Sequence, residues 1–192
     1  NYSSGKMGFA LAEACAERGA EVTLVAGPVS LKTHHPAIKR IDVESAGEMY
    51  QAAMTAFPSS DAAILCAAVA DYRPENASEQ KIKRETEREM TLHLVPNPDI
   101  AASLGAIKRE GQVMVGFALE TNDEATHAEG KLKRKNLDFI VLNSLRDQGA
   151  GFRCDTNKIT IIDNAGGVTS YPLKTKREVA CDIVNKLVTL LK

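Results

Sequence analysis

The sequence predicts an α/β protein built on a doubly wound, mostly parallel sheet with helices on both faces. Three observations point there. Amphipathic stretches alternate with short apolar runs along most of the 192 residues, the signature of helical crossovers between parallel strands. The runs at residues 62–70 and, after Gln112, 113–118 are apolar, as strands covered on both faces are. Each then stops abruptly at polar residues, Asp71-Tyr72-Arg73 in one case and Glu120-Thr121-Asn122 in the other.

The elements follow in order. Residues 5–18 read as a helix with Met7, Leu11, Ala14 and Cys15 on one face; Ser3 or Ser4 can cap it and Gly19 stops it. Residues 21–26 are a strand closed by Gly27-Pro28, 29–36 a loop and 39–43 a short strand. Ser45 and Glu48 form a capping box, and Met49, Ala53, Ala56 and Phe57 give the next helix its apolar face. Pro58-Ser59-Ser60 ends it before the run at 62–70, which is expected to be a strand buried on both faces. Residues 73–89 are polar, charged and aperiodic, and read as a mobile basic flap. Residues 90–95 alternate in strand fashion. Asn97 is the expected N-cap of a helix with Pro98 at its first position and Ile100, Leu104 and Ile107 facing inward. Residues 112–118 are a buried strand, 124–135 a Lys-rich helix and 138–143 a strand. A C-terminal β-hairpin joins 158–163 to 168–171 across Asn164-Ala165-Gly166-Gly167. Thr175 and Glu178 make a second capping box, before a final helix with Val179, Ile183, Leu187 and Leu190 on its apolar face.

Bulk properties narrow the class. Apolar residues make up 44% and charged residues 26%, with a net charge of −1. A single domain of ordinary soluble composition is the expectation, without the basic field that draws nucleic acid and without an apolar run long enough to cross a membrane. Cys15, Cys66, Cys154 and Cys181 lie without CxxC spacing and read as reduced cysteines of an intracellular, cytoplasmic protein. No leader segment is expected. Because such a sheet normally opens with a strand and this chain opens with a helix at Asn1, a first strand and its loop are expected upstream.

The chemistry-bearing residues gather at predicted strand ends. Asn1-Tyr2-Ser3-Ser4-Gly5-Lys6-Met7-Gly8 surrounds a helix start, where free N–H groups and the helix dipole favour anions; it is also an ordinary capped helix start. It is not a Walker A loop, since Met7 stands where a magnesium-holding hydroxyl belongs. Asp71 can take hydrogen bonds from a base or ribose, or orient a cation, or simply end a strand. Lys81, Lys83 and Arg84 can neutralise phosphates or form a solvated face. Asn97-Pro98-Asp99-Ile100 is a strand-to-helix turn placed at the same edge as Asp71. Phe117 can stack on a base or belong to the core. Lys131 and Lys135 share one helical face. His34, His35, His93 and His127 make no metal or triad pattern, and GxSxG, HExxH and GxGxxG do not occur.

Taken in order, Asn1 to Gly8, Ala67-Ala68-Val69-Ala70-Asp71-Tyr72, Lys81-Ile82-Lys83-Arg84, Asn97-Pro98-Asp99-Ile100, Gly116-Phe117-Ala118-Leu119-Glu120-Thr121 and Lys131 through Lys135-Asn136-Leu137-Asp138 resemble phosphopantothenoylcysteine synthetase over nearly the whole chain. That family's Gly-Pro-Thr loop and first strand, which precede the first motif, do not occur here. The resemblance implies a Rossmann-like sheet and a ligase of coenzyme A biosynthesis. It joins 4′-phosphopantothenate to L-cysteine through an acyl-cytidylate, with CTP giving CMP and pyrophosphate and Mg²⁺ accompanying the triphosphate. It implies catalytic roles for Asn1, in the second step, and Lys81, in acyl-cytidylate formation. It further implies nucleotide contacts at Cys66, Ala67, Asp71, Lys81, Asn97, Pro98, Asp99, Ile100, Phe117, Lys131 and Lys135, and substrate contacts at Asn1, Ala67 and Ala68. Few or no protein ligands for the metal are implied. A homodimer is implied too, with the hairpin at 158–171 as candidate interface, and so is a fused N-terminal decarboxylase half that uses FMN.

Two other readings compete. An NAD(P)-dependent oxidoreductase needs a glycine-rich motif after its first strand and often a Tyr-x-x-x-Lys pair. Tyr2 and Lys6 have that spacing, at the first helix rather than far downstream. A non-catalytic nucleotide-binding module would bind CTP and release no pyrophosphate.

Overall fold

A computed structural model describes residues 3–76, 78, 80–81, 90–120, 124–144 and 155–191. Its centre is a five-stranded sheet in the order β10-β9-β7-β6-β3, formed by β3 (Ala62–Leu65), β6 (Val113–Glu120), β7 (Phe139–Ser144), β9 (Ile159–Asp163) and β10 (Val168–Ser170). β3, β6 and β7 run parallel, with Leu65 beside Gly116 and Phe117 beside Val141; β9 and β10 join antiparallel. β1 (Val22–Ala26) and β2 (Ile38–Asp42) form a separate parallel pair, and β8 (Thr156–Asn157) pairs with β11 (Lys174–Thr175).

Strand alternation feeds two cores. Val113, Val115, Phe139, Val141, Ile159 and Ile161 meet α1 (Lys6–Ala16) and α5 (Lys176–Leu190) on one face. Met114, Ala118, Ile140, Leu142 and Ile162 meet α3 (Ile100–Ile107) and α4 (Glu124–Arg134) on the other, with α2 (Ala46–Ala56) against them through Ala53 and Met54. The doubly wound arrangement is therefore present, and the hairpin occurs where its turn residues place it.

The helix ends follow local chemistry. Ser45 Oγ accepts from Glu48 N–H at 3.1 Å, and Thr175 with Glu178 makes the full reciprocal box. α1 differs from expectation: Gly5 is its N-cap, at φ 75°, and no side chain caps it. A Cβ on Gly5 would also come within 3.1 Å of Val29 Cγ1, so the position requires glycine.

Three further expectations are corrected. The run at 62–70 is not a long strand buried on both faces. Among the described residues only Ala62–Leu65 pairs, at the sheet's edge and half-buried, because an edge strand is covered by a neighbouring strand on one side alone. The segment from 73 onward is not aperiodic throughout. Tyr72–Pro74 is β4, paired antiparallel with β5 (Leu94–Pro96), and Glu75 N–H donating to the His93 carbonyl extends the ribbon. The N-cap of α3 is Asp99, whose carboxylate accepts from Ala102 N–H at 3.1 Å, and Ile107, at the last turn, is 41% exposed rather than inward.

α3 and the end of α4 approach closely at Gly105. A Cβ there would collide with the Lys135 carbonyl oxygen and lie 2.8 Å from its carbon. Alanine gains up to about 1 kcal/mol over glycine in a helix, but a backbone collision of this kind costs about 1–3 kcal/mol or more. Gly105→Ala is therefore expected to lower Tm by several degrees, about 2–4 °C per kcal/mol at this size, measured by thermal denaturation. An unchanged or raised Tm would show that the two helices separate freely.

Candidate functional site

Because β3, β6 and β7 are parallel, their carboxyl ends share one edge, the place where open α/β sheets bind ligands. Residues 66–70 leave β3 there and run into Asp71 and the β4–β5 ribbon. Asn97 binds this passage in place. Its N–H donates to the Asp71 carbonyl at 2.8 Å, its Nδ2 to the Ala70 carbonyl at 2.9 Å, and its Oδ1 accepts from Arg73 Nη1 at 3.4 Å. The same Arg73 nitrogen donates to the Pro96 carbonyl at 2.6 Å. The side chain expected to cap α3 therefore joins two motifs that lie 27 residues apart.

Two residues later, Asp99 divides its carboxylate. Oδ1 caps α3 and Oδ2 lies 3.1 Å from Lys135 Nζ. Partial burial works to raise this carboxyl, but the Ala102 N–H and the Lys135 ammonium outweigh it and hold it below the usual range. Lys131 lies one turn earlier on α4. Pro98 is exposed, and Ile100 packs against the core of the α3 face. Ala67 and Asp71 are exposed and Ala68 half-buried, so this loop offers backbone at the surface with little side chain to obstruct it. Cys66 and Phe117 sit on the opposite face, packed against the α1–α5 core; Phe117 is half-buried there rather than an open wall. Cys66 Sγ lies 3.2 Å from where a Gly8 Cβ would be. Desolvation pushes its thiol up from 9.0 to about 11, although the residue as a whole is partly exposed.

The α1 terminus faces the same edge. Among the described residues it carries no acidic residue in its first turn and no N-cap side-chain hydrogen bond, a helix start of the kind that suits an anion. Lys6 does not point freely outward but pairs with Asp155 at 2.5 Å, holding that carboxyl below its usual range. Asn143, near the carboxyl end of β7, has a buried Oδ1 with no hydrogen-bond partner among the described residues, a state that a ligand donor would relieve. Sequence reasoning passed over both. An asparagine near the end of the apolar strand run at 138–143 was the available signal for Asn143, whereas Asp155 gave none.

Lys81 is exposed. Asn1, Lys83, Arg84 and Cys154 lie outside the described residues. Among the described residues, a cavity of about 400 Å³ lies around Val29, Arg40, Asp42 and Glu48, and one of about 420 Å³ between α4 and the β9–β10 turn. Among the described residues no three His, Cys, Asp or Glu side chains gather as a metal nest, and no helix is long and apolar enough to cross a membrane.

Comparison with known proteins adds a frame. The family model described as DNA/pantothenate metabolism flavoprotein C-terminal domain matches residues 1–191. The chain is 58% identical to a protein of an unknown prokaryotic organism named cysteine/cysteine sulfinic acid decarboxylase, over all of this chain and 53% of that one. It is 47% identical to the coenzyme A biosynthesis bifunctional protein CoaBC of Vibrio parahaemolyticus, over all of this chain and 48% of that one. It thus spans about half the length of these relatives. The crystal structure of the C-terminal domain of a CoaBC protein superposes with a TM-score of 0.83 at 36% identity, covering all of this chain and 85% of that one.

The geometry makes two predictions. Asn97→Ala should leave α3 intact, since Asp99 caps it, while amide exchange in the β4–β5 ribbon quickens about fivefold, the weight of one neutral hydrogen bond. Unchanged ribbon exchange would remove Asn97 from that role. Cys66 should alkylate at pH 8 on the order of a hundredfold more slowly than an ordinary thiol, since two pKa units separate them. Its folded value is raised, so the stability it contributes is present below pH 9 and lost as pH rises through about 11. Rapid labelling at pH 8 in the folded protein would refute the assignment.

Proposed function

The chain belongs to the family of DNA/pantothenate metabolism flavoprotein C-terminal domains, and on that premise we propose that it is the ligase module joining 4′-phosphopantothenate to L-cysteine at the expense of CTP. The observation that carries the reading is the meeting, at one sheet edge, of the loop at 66–71, the Asn97–Asp99 turn and the Lys135 ammonium. That arrangement supplies exposed backbone, an acid and a cation beside one another, which suits a nucleotide.

The chemistry runs in two steps. A carboxylate oxygen of 4′-phosphopantothenate attacks the α-phosphorus of CTP; the bond to the bridging oxygen breaks and pyrophosphate leaves with the electron pair. The cysteine amine then attacks the activated carbonyl carbon, CMP leaves, and the new amide nitrogen releases a proton. Negative charge builds on phosphate oxygens in the first step, so cations dominate its catalysis. Lys81 reaches the triphosphate from the segment beyond β4, and Lys131 and Lys135 hold phosphate or ribose. Asp71 accepts from ribose or base. Ala67 and Ala68 admit the ligand close to the backbone, and Asn97 keeps their loop in place. Asn1 donates to the acyl oxygen as it becomes an oxyanion, a role typically worth about 3 kcal/mol. Mg²⁺ arriving on the triphosphate would neutralise phosphate charge and be ligated mainly by phosphate oxygens.

The remainder of such a protein would hold the decarboxylase half and its FMN, consistent with relatives twice this length, one of them named bifunctional. The decarboxylase name of the 58% relative likewise belongs to a chain nearly twice as long. The cytoplasm is the proposed location. A homodimer remains part of the proposal. Exposed Tyr72, Met90, Leu92 and Leu94 on and beside the β4–β5 ribbon make a more apolar contact surface than the hairpin at 158–171, whose outer strand β10 exposes Val168 alone among its large apolar residues.

The test is pyrophosphate release by the full-length protein with 4′-phosphopantothenate, Mg²⁺ and either CTP or ATP, with and without cysteine. Release that requires CTP and 4′-phosphopantothenate, with turnover raised by cysteine, is expected. CTP binding without release would turn the reading toward a non-catalytic module. Lys81→Gln should abolish release while the fold survives, as judged by circular dichroism; normal release would take Lys81 out of the mechanism. Asn1→Asp should still release pyrophosphate yet form little amide, and product at the normal rate would refute its role.

A further inference from the structure

Lys135 reaches the candidate site from the wrong end of the protein. α4 starts near the carboxyl ends of the parallel strands and runs back to their amino ends, and Lys135 follows its last turn, shortly before β7 opens at Phe139. Its backbone is fixed there. Lys135 N–H donates to the Lys131 carbonyl, Asn136 turns the chain at φ 51°, and Leu137 N–H reaches back to the Leu132 carbonyl at 3.0 Å. This is a Schellman-type stop. The Lys135 carbonyl presses on Gly105, in the second turn of α3. The ammonium, however, lies 3.1 Å from Asp99, the residue that opens α3. Six residues of helix, about 9 Å, separate Gly105 from Asp99, so the lysine side chain runs along α3 toward the ligand edge.

We propose that Asp99 is a positioning residue. One carboxylate oxygen caps α3, and the other draws the Lys135 ammonium to the carboxyl edge of the sheet, where it can meet a nucleotide phosphate. The inference rests on the nucleotide-dependent ligase reading. A lysine stem carries large rotamer freedom, and the Asp99 carboxylate is the ion-pair partner of this ammonium among the described residues. The negative charge of Asp99 does not cancel the benefit. It sits on the amino-terminal dipole of α3 and accepts from Ala102 N–H, so the helix end absorbs much of its field. Its hold on Lys135 is direct, whereas its repulsion of an incoming phosphate is screened.

Asp99→Asn separates the two jobs, since asparagine caps a helix as well as aspartate but carries no charge for Lys135. In the full-length protein, acetic anhydride labelling without ligand, read by mass spectrometry, should modify Lys135 severalfold faster in Asp99→Asn, with Lys81 as an unchanged reference. Equilibrium binding of CTP with Mg²⁺ should weaken about fivefold, the weight of ordering one long side chain. Lys135→Met should weaken it at least as much, and the double variant no further than Lys135→Met, at unchanged Tm for Asp99→Asn. Unchanged labelling, unchanged or tighter CTP binding by Asp99→Asn, or additive losses in the double variant would overturn the proposal, because a purely structural role couples to Tm and not to Lys135. A wild-type protein that binds no CTP would instead overturn the ligase reading, and labelling alone then decides whether Asp99 holds Lys135.

Discussion

β6 and β7 impose the constraint on which the rest of the chain depends. They lie side by side and parallel, and their alternate side chains must satisfy two different cores. Val113, Val115, Phe139 and Val141 point to the α1–α5 face, Met114, Ile140 and Leu142 to the α3–α4 face, and nearly all of them are sealed from solvent. A register slip of one residue would exchange the two faces. The register is pinned at the strand starts. Asp138 accepts from Met114 N–H at 2.7 Å and pairs with Lys108 at 2.6 Å, and Lys108 also donates to the Asn136 carbonyl. With side chains only 11% and 20% exposed, neither charge can be removed alone without stranding the other. Gly116 completes the fit, because a Cβ there would lie 2.5 Å from Leu137 Cδ1.

That constraint also places the candidate edge. Once β3, β6 and β7 are parallel, their carboxyl ends deliver Cys66, Leu119 and Asn143 to one rim, and helices of both faces end or begin there. The site therefore straddles the sheet. Cys66, Phe117 and the α1 terminus belong to one face, and Asp99, Lys131 and Lys135 to the other. The loop at 66–71 bridges them along the rim, tied down by Asn97. Long-range tethers of this kind do what a closed pocket would otherwise do, holding groups from distant elements in one frame.

The sequence was readable where its signals are local. The Ser45–Glu48 and Thr175–Glu178 boxes start their helices as written, the stripe Val179-Ile183-Leu187 is buried as its period demands, and the turn before Val168 makes its hairpin. It misled where a distant partner decides. Asn97 and Asp99 are equally good caps two residues apart, and the choice falls to Asp99 because the Ala70 carbonyl and Arg73 claim Asn97. The run at 62–70 is apolar enough for a central strand, yet its place at the sheet edge depends on which strands lie beside it, which no local pattern records. The partner of Lys6 had no local signal either, because Asp155 is 149 residues away. The family was legible through the order of six motifs, and the candidate residues come from those motifs. Their division between two faces was not legible, since it follows from the sheet's pleat and the direction of each crossover.

The cations at this rim share a further physical property. Lys6 and Lys135 are each paired with a carboxylate that is itself half or more exposed, Asp155 at 83% and Asp99 at 51%, while Arg73 is satisfied by carbonyl oxygens. Pairs of that exposure contribute at most about 1 kcal/mol to stability. They are therefore strong enough to aim a flexible side chain and too weak to keep it from a polyphosphate, which offers several anionic oxygens at once. Buried pairs such as Lys108–Asp138 could not serve this way, because exchanging one partner would leave the other desolvated. Of these three pairs the shielded one, Lys108–Asp138, lies at the amino edge, where register is fixed, and the two more exposed ones, Lys6–Asp155 and Lys135–Asp99, lie toward the carboxyl edge. That division follows from the same parallel strands that set the cores, since one edge must be locked for the other to present its groups in a constant arrangement.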